Sequence, residues 1–235
     1  MNERIPRERD PAVTRRMVNP YAYRIDTDDD KWHVICSTLS ETYWHGLKIL
    51  KNHFDMRRYF EAIRVLQPTV IVETGLQNGG SALFFMDCLE CLLLPDSLYV
   101  GIDLSLNLVP ETVKTIKHPH ALIERDCLAY ETVAEVGQMI ESRRPGAVLL
   151  VLDSVHTQEH VTEELRLYTP LLAHGDALVV EDTDHNGHPV LSDYGPSAWE
   201  AVEEFMAGDS RFAHWEVGEM FGKFTNSPNG WLICK

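Results

Sequence analysis

The chain has 235 residues, of which 44% are hydrophobic and 24% charged. This length favours a single α/β domain with a short appendage, and this composition excludes a mostly disordered chain. The formal net charge of −15 at pH 7 disfavours binding to nucleic acid or to an anionic membrane surface, because both present negative phosphates.

The first 30 residues form a charged, irregular segment with six arginines and seven acidic residues. Two interpretations are open for it, an arm that contacts a partner and a disordered tail. The segment lacks the apolar core of a secretory signal, and the chain has no apolar run of about 18 residues that would span a membrane. We therefore expect a cytoplasmic protein.

Short apolar runs alternate with helical patterns from residue 55 onward. The predicted strands are 69–73, 98–103, 121–124, 147–153 and 177–181. The predicted helices are 81–94, 132–142, 159–173, which we expect to be interrupted near Pro170, and 197–207. Such alternation predicts a parallel sheet with helices on both faces. Two last strands, 215–225 and 230–234, flank a tight turn and are therefore predicted to be antiparallel to each other.

The five cysteines are an odd number and are widely scattered. Cys88 and Cys91 form a C-x-x-C pair, but no second pair follows at zinc-ligand spacing. Because the pair lies in an apolar run, we expect both thiols to be buried and reduced.

An acidic residue stands at or just after the end of every predicted parallel strand. These residues are Glu73, Asp103, Asp126, Asp153, Glu181 and Asp182. In doubly wound sheets, ligands bind outside the carboxyl ends of the strands. Carboxylates crowded at one edge repel each other unless they bind donors or a cation, so the pattern predicts a ligand site there.

The loop after the first strand, residues 73–81, reads E-T-G-L-Q-N-G-G-S. It matches neither G-x-G-x-x-G nor a P-loop, which argues against recognition of a diphosphate. Its glycines would let the backbone approach a ligand closely, and Asp103 could accept hydrogen bonds from ribose hydroxyls. Together these features favour a nucleoside without phosphates, S-adenosylmethionine above all. The alternative for Gly79 and Gly80 is a plain strand-to-helix turn.

Three of the strand-end acids suggest a metal site. Asp153 ends the fourth predicted strand and Glu181 and Asp182 end the fifth, so neighbouring strands would bring the three carboxylates together. Hard oxygen ligands without thiolates favour Mg²⁺ or Ca²⁺ over Zn²⁺. An ion there would lower the pKa of a bound acceptor hydroxyl. The alternative is that these acids only cap helices or bind solvent.

Histidines crowd the same predicted edge. His156 lies three residues after Asp153 and is the predicted general base, with Asp153 itself as the other candidate. We expect His160 to be structural, whereas His185 and His188 could line an acceptor pocket or bind metal. For each histidine, a surface or hydrogen-bonded role is the alternative.

Several short motifs occur in a defined order along the chain. They are YWHG at 43–46, LKNHFD at 50–55, VETG at 72–75 with GGSA at 79–82, GID at 101–103, LDS at 152–154 with His156, and VEDT at 180–183 followed by NGHP at 186–189. In this order they resemble the cephalosporin hydroxylase and rhamnosyl O-methyltransferase family of class I S-adenosylmethionine-dependent methyltransferases. The match divides the chain into an N-terminal arm, 1–42, and a methyltransferase domain, 43–235.

The resemblance implies a Rossmann-like α/β fold, with a mostly parallel seven-stranded sheet, a C-terminal antiparallel hairpin and helices on both faces. It implies Mg²⁺-assisted methyl transfer from S-adenosylmethionine to a hydroxyl oxygen of a small molecule or sugar-bearing natural product, by a homo-oligomer. By motif position it implies cofactor contacts at Glu73, Gly75, Gly79, Gly80, Ser81, Asp103, Asp126 and Cys127, and metal ligands at Asp153, Glu181 and Asp182. His53 stands where family members often have proline, so the choice of substrate could differ from theirs.

Two other classes of function compete with this one. A non-catalytic S-adenosylmethionine-binding subunit would support another biosynthetic enzyme by association. A nicotinamide-dependent oxidoreductase is disfavoured by the missing G-x-G-x-x-G motif. An oxygenase would need a His-x-Asp…His triad, and His53 with Asp55 supplies only its first half.

Overall fold

The structure is a computed structural model that describes residues 42–217 and 224–235. A two-stranded ribbon, β1 (Tyr43–Trp44) and β2 (Leu47–Lys48), precedes the main sheet. The strands of the main sheet are β3 (Val70–Thr74), β4 (Leu98–Asp103), β5 (His120–Glu124), β6 (Val148–Leu152), β7 (Ala177–Val180), β8 (Phe212–His214) and β9 (Trp231–Cys234). Their order is β5-β4-β3-β6-β7-β9-β8, and β9 runs antiparallel to both of its neighbours.

Helices connect the parallel strands and cover both faces of the sheet. They are α1 (His53–Leu66), α2 (Gly80–Cys91), the single turn α3 (Glu111–Lys114), α4 (Tyr130–Glu141), α5 (Gln158–Tyr168) and α6 (Ala198–Gly208). The predicted interruption of helix 159–173 near Pro170 is present, because Pro170 has no N–H to continue the ladder and the chain turns into a 3₁₀ segment, Thr169–Leu171.

The apolar strands are continuous because each face of the sheet has its own core. Along β6, Leu150 and Leu152 join the core beneath α4, α5 and α6, whereas Leu149 and Val151 join the core beneath α1 and α2. A strand buried on both faces needs apolar side chains at every position. The predicted fold class, a Rossmann-like parallel sheet with a C-terminal antiparallel hairpin, is confirmed.

Some predicted boundaries differ from the structure. The first strand of the hairpin was predicted at 215–225, but β8 ends at His214, and residues 218–223 lie outside the described part of the chain. The strand stands earlier because Phe212, buried in the core, pairs with Cys234 at the end of β9. The predicted arm also lies outside the described residues, except for Thr42.

Helix α1 was not predicted, although its signals are present. The side chain of Asn52 caps the helix by accepting hydrogen bonds from the backbone N–H groups of Phe54 and Asp55. Apolar residues Tyr59 and Ile63 then recur at helical spacing and are buried.

The C-x-x-C prediction was half right. Both thiols are free, and Cys88 is buried, but Cys91 is exposed because it falls on the outer face at the end of α2. No helix among the residues described is long and apolar enough to cross a membrane.

Candidate active site

A cavity of about 410 Å³ opens at the carboxyl ends of the parallel strands, where the sequence predicts a ligand site. Strands β3, β6 and β7 are parallel neighbours, and their register aligns Thr74 with Leu152 and Leu152 with Val180. The residues that follow these strands therefore meet at one point. The cavity is lined by residues 48–51, 75–78, 80, 81, 103, 105, 108, 153, 154, 156 and 182.

A buried lysine holds the acids of this edge together. The Nζ atom of Lys51 donates hydrogen bonds to Asp153 Oδ2 at 2.7 Å and to Glu181 Oε1 at 2.5 Å, and lies 3.4 Å from Glu73 Oε1. The Lys51 side chain is only 1% exposed. Burial disfavours its charge, but the three carboxylates outweigh burial and raise the pKa of Lys51 well above its ordinary value. Part of the positive charge that crowded acids require thus comes from the protein itself.

Glu181 lies beneath the cavity rather than in it. Besides the bond from Lys51, its Oε1 accepts a hydrogen bond of 2.5 Å from the Tyr59 hydroxyl. Burial, followed by the charge of Asp153, raises the pKa of Glu181 to about 7. In this arrangement the predicted metal ligand Glu181 is engaged by a cation and a hydroxyl and is not part of the cavity lining.

Asp153, Asp182 and His156 form the group that faces the cavity. One ligand atom of each lies within 4.8 Å of the others, and His156 Nε2 is 3.2 Å from Asp182 Oδ2. Burial raises the pKa of Asp153 to about 6 against the opposing charge of Lys51. Burial alone would lower the pKa of His156, but Asp182 and Asp153 raise it. These two carboxylates and the imidazole could hold a divalent cation or position a hydroxyl.

Glu73 is fully buried below the cavity floor. It accepts hydrogen bonds from the Ser81 hydroxyl at 3.1 Å and from the Tyr99 hydroxyl. Burial raises its pKa, and Lys51 opposes that shift. Of these predicted cofactor contacts, Ser81 lines the cavity and Glu73 positions Ser81 and Lys51 from behind.

Two glycines of the 73–81 loop, Gly75 and Gly80, approach protein backbone rather than open space. A Cβ on Gly75 would lie 2.0 Å from the carbonyl oxygen of Asp153, and one on Gly80 would lie 2.2 Å from that of Lys48. Gly79 caps α2 with a φ of +73° and does not line the cavity. The glycines therefore let backbone segments pack into walls of the cavity, a role that the loop motif alone did not reveal.

Asp103 lines the cavity as predicted, in a fixed orientation. Its Oδ2 accepts hydrogen bonds from the backbone N–H groups of Leu76 (2.8 Å) and Gln77 (3.0 Å), and its Oδ1 accepts one from Ser105 (3.0 Å). A carboxylate has about four acceptor sites, so capacity for a ligand hydroxyl is left.

The structure does not bring Asp126 and Cys127 into the cavity. Asp126 is exposed and accepts a hydrogen bond from the backbone of Leu128, whereas Cys127 is buried with its Sγ toward Ser154 and His160. The predicted structural role of His160 agrees with this placement.

The other two histidines have separate surroundings. His188 stacks on Trp199 with ring centroids 4.2 Å apart and lies 3.1 Å from a Glu200 oxygen, which is a structural arrangement. His185 borders the site, with its ring centroid 5.8 Å from that of His156 and 4.8 Å from that of Tyr194.

Lys51 and Tyr59, which contact the acids of the site, are not predicted from the sequence. Lys51 lies within the LKNHFD motif at 50–55, which carries the family resemblance without indicating a role for its lysine. A signal was available, since an edge with several buried acids needs an internal cation and this motif supplies one.

A seven-stranded sheet with an antiparallel last strand, and a cavity at the carboxyl ends of its parallel strands, define the class I methyltransferase fold. The family model for rhamnosyl O-methyltransferase/CmcI matches residues 36–235, and the chain belongs to this family.

Curated relatives and solved structures agree with this assignment. Proteins named rhamnosyl O-methyltransferase from Mycobacterium tuberculosis (strain ATCC 25618 / H37Rv) and Mycobacterium leprae (strain TN) are 33% and 34% identical to this chain. The alignments cover 86% and 87% of this chain, and 82% and 88% of those proteins. The structure named "cmcI-D160 Mg-SAM" superposes with a TM-score of 0.62 at 22% identity, covering 91% of this chain and 87% of that one. An O-methyltransferase from Bacillus cereus in complex with SAH gives 0.54 at 10% identity, covering 90% and 94%.

The predicted family is therefore confirmed, and with it the predicted enzyme class, an O-methyltransferase. At these identities the two solved structures bear on the fold alone.

Proposed function

We propose that this enzyme transfers a methyl group from S-adenosylmethionine to a hydroxyl oxygen of a small molecule, a sugar or a sugar-bearing natural product, with the help of Mg²⁺. The observation that carries the proposal is the group of Asp153, Asp182 and His156 facing a cavity that Asp103 also lines. Relatives named rhamnosyl O-methyltransferase support a sugar hydroxyl as the acceptor class.

The cavity suits the proposed cofactor. Its volume of about 410 Å³ lies within the range of roughly 300–1,000 Å³ common for small-molecule sites. Asp103 would accept hydrogen bonds from ribose hydroxyls, while Gly75, Gly80 and Ser81 line the wall beside it. S-adenosylmethionine supplies an electrophilic methyl group. The chain's own contribution is to orient both reactants in line and to exclude water.

The donor set suits a hard divalent cation. Asp153 and Asp182 offer carboxylate oxygens at the cavity, which Mg²⁺ prefers while keeping waters or substrate oxygens in its other positions. We retain Glu181 as the third proposed ligand, which would require it to release Lys51 or Tyr59; His156 is the alternative in the present geometry. The cation would lower the pKa of an acceptor hydroxyl beside it.

His156 is the proposed general base, with Asp153 as the alternative. Burial lowers the pKa of His156, but without a cation the charges of Asp182 and Asp153 outweigh burial and raise it. A positive charge bound by these carboxylates would offset their effect and let His156 accept the proton of the acceptor hydroxyl at Nε2. His185 and Tyr194 border this side and would contact the acceptor.

Calorimetric binding of S-adenosylmethionine and S-adenosylhomocysteine, with Mg²⁺ and with chelator, tests the cofactor site. We expect saturable binding in both conditions, weakened by Asp103→Asn and unchanged by Asp96→Asn, a matched exposed control between α2 and β4. Methyl transfer to a panel of rhamnosides and other hydroxyl acceptors should then stop with chelator and in Asp182→Asn. Absence of cofactor binding in both conditions would overturn the proposal.

Two further predictions concern catalysis and the oligomeric state. Binding of the cofactor without transfer to any acceptor would favour the alternative, a non-catalytic partner subunit. The expected homo-oligomer is tested by light scattering coupled to size exclusion, where a monomer at working concentration would contradict it.

A further inference from the structure

A second group of ligating side chains lies behind the cavity wall. The Sγ atom of Cys127 is 3.7 Å from His160 Nε2, and Glu164 Oε2 is 3.8 Å from the same nitrogen. One ligand atom of each of these three residues lies within 4.8 Å of the others. The Ser154 hydroxyl sits among them, 2.9 Å from His160 Nε2 and 3.8 Å from Cys127 Sγ.

The Glu164 carboxylate is built into this group and is fully buried. Its Oε1 accepts hydrogen bonds from the hydroxyls of Thr74 (2.7 Å) and Ser154 (2.9 Å). Its Oε2 makes no hydrogen bond of normal geometry to any residue that the structure describes, and His160 and Cys127 are the groups that face it. A buried carboxylate oxygen without such a bond is costly unless another ligand satisfies it.

We propose that Cys127, His160 and Glu164 bind a Zn²⁺-class transition metal ion, with a water as the fourth ligand. Bond lengths of about 2.3 Å to sulfur and 2.0–2.2 Å to nitrogen and oxygen place tetrahedral ligands about 3.4–3.6 Å apart. The observed 3.7 and 3.8 Å are close to that spacing. Thiolate and imidazole select Zn²⁺ over Mg²⁺, so this site is distinct from the carboxylates at the cavity.

Charge also suits such an ion. Burial raises the pKa of the Cys127 thiol to about 12 and also raises that of Glu164, while it lowers that of His160. Without metal the Cys127 thiol therefore keeps its proton at neutral pH. A dication that displaces the thiol proton and meets the Glu164 carboxylate would leave a site with no net charge, which a buried position favours.

The site would be structural, and an ion could reach it from the surface. It would join the segment after β5 to α5, to the end of β6 through Ser154, and to β3 through Thr74. Ser154 directly follows Asp153, so the ion would stiffen one wall of the cavity. His160 is one-fifth exposed and borders a groove on the outer side with Leu128 and Thr157, which provides an entry path.

Cobalt titration of the full, reduced, chelator-treated chain tests the proposal, with excess Mg²⁺ present to occupy carboxylate sites. We expect one equivalent of Co²⁺ to give thiolate-to-metal charge-transfer absorption and the intense visible bands of four-coordinate cobalt. Cys127→Ser should abolish the charge-transfer band and weaken Zn²⁺ competition at least about 10-fold. Glu164→Gln should keep the band and weaken binding. Cys91→Ser, the exposed matched control, and Asp153→Asn should change neither.

Three outcomes would overturn the proposal. They are cobalt binding without thiolate absorption, a band that persists in Cys127→Ser, and binding lost in Asp153→Asn. If Cys127→Ser fails to fold, His160→Gln replaces it, because that side chain is partly exposed and glutamine keeps a hydrogen-bonding end. His160→Gln should keep the charge-transfer band and weaken Zn²⁺ competition at least about 10-fold, and unchanged competition would overturn the proposal. Zn²⁺ should also slow alkylation of Cys127 in the unmodified chain. Binding of S-adenosylhomocysteine to the same samples reports separately on the proposed methyltransferase site.

Discussion

Replacing Lys51 with methionine would remove the buried cation that holds three carboxylates together. Methionine has a similar length and flexibility, so the change deletes charge with little change in volume. In Lys51→Met, Asp153, Glu181 and Glu73 would lose the ammonium that now lies 2.5–3.4 Å from one oxygen of each. We expect these carboxyl groups to become protonated in the folded state at neutral pH.

The magnitude follows from the cost of breaking a buried ion pair, about 3–5 kcal/mol. For a protein of this size each kcal/mol lowers Tm by about 2–4 °C, so we expect a loss of about 6–20 °C at pH 8. With Lys51 present, burial already raises the pKa of Asp153 to about 6 and that of Glu181 to about 7. Because the charge of Lys51 lowers both pKa values, removing it should raise them further.

The sign of the pH dependence follows from those raised values. Between an unfolded pKa near 4 and the higher folded pKa, the folded state binds more protons than the unfolded state, so stability falls as pH rises. The Tm deficit of Lys51→Met should therefore grow from pH 5 to pH 8. Thermal unfolding followed by circular dichroism in chelator measures it.

Lys48→Met is the matched control, since Lys48 lines the same cavity and makes no ion pair with a described residue. Added Mg²⁺ should raise the Tm of Lys51→Met more than that of the unmodified chain, because the freed carboxylates can then bind the ion. A deficit below about 2 °C at pH 8, or one that does not vary with pH, would refute the account of Lys51.

Three other predictions concern single positions. Gly75→Ala should lower Tm well beyond Gly46→Ala. Both positions have a φ of +82°, which costs an alanine about 1–2 kcal/mol at either site. Only at Gly75 would the new Cβ also meet backbone, at 2.0 Å. Equal losses in the two variants would contradict the close approach. Burial raises the pKa of Asp55 to about 7, so its ionisation should lower the free energy of unfolding by up to about 1.4 kcal/mol per pH unit between pH 4 and 7. Asp55→Asn should flatten the dependence of this free energy on pH over that range. If urea titrations show the same pH dependence in the variant, the prediction is contradicted. Ser197→Ala should cost about 1 kcal/mol of unfolding free energy by removing the capping box of α6, and a loss-free variant would show that this box does not stabilise the helix.

Several features of this protein are predictable from sequence because they depend on residues close together in the chain. The apolar strands around residues 70–74 and 148–152 read as buried on both faces, which requires a parallel sheet with two helical layers. The acids that follow these strands come to one edge because parallel strands end on the same side. Asp103, Asp153, Asp182 and His156 accordingly line the cavity.

The sequence is less informative about where a strand begins and what an individual glycine packs against. The strand β8 begins at Phe212 because burial and pairing with Cys234 decide its position, whereas the local pattern favours 215–225. The glycines of the 73–81 loop indicate that another group packs closely against this backbone, but they do not indicate which group it is. Only packing shows that the neighbour of Gly75 is the backbone of Asp153.

The pairing of charged and ligating groups is decided by tertiary structure alone. Lys51 meets Asp153 and Glu181 across 102 and 130 residues of chain, and nothing in the local sequence distinguishes an acid that faces the cavity from one held beneath it by an ammonium. Cys127 and His160 are likewise 33 residues apart, and their contact arises from how α5 lies against the loop after β5. Periodicity specifies which face of an element is buried, because burial depends on local side-chain spacing. Which polar groups share a buried space depends on the path of the whole chain.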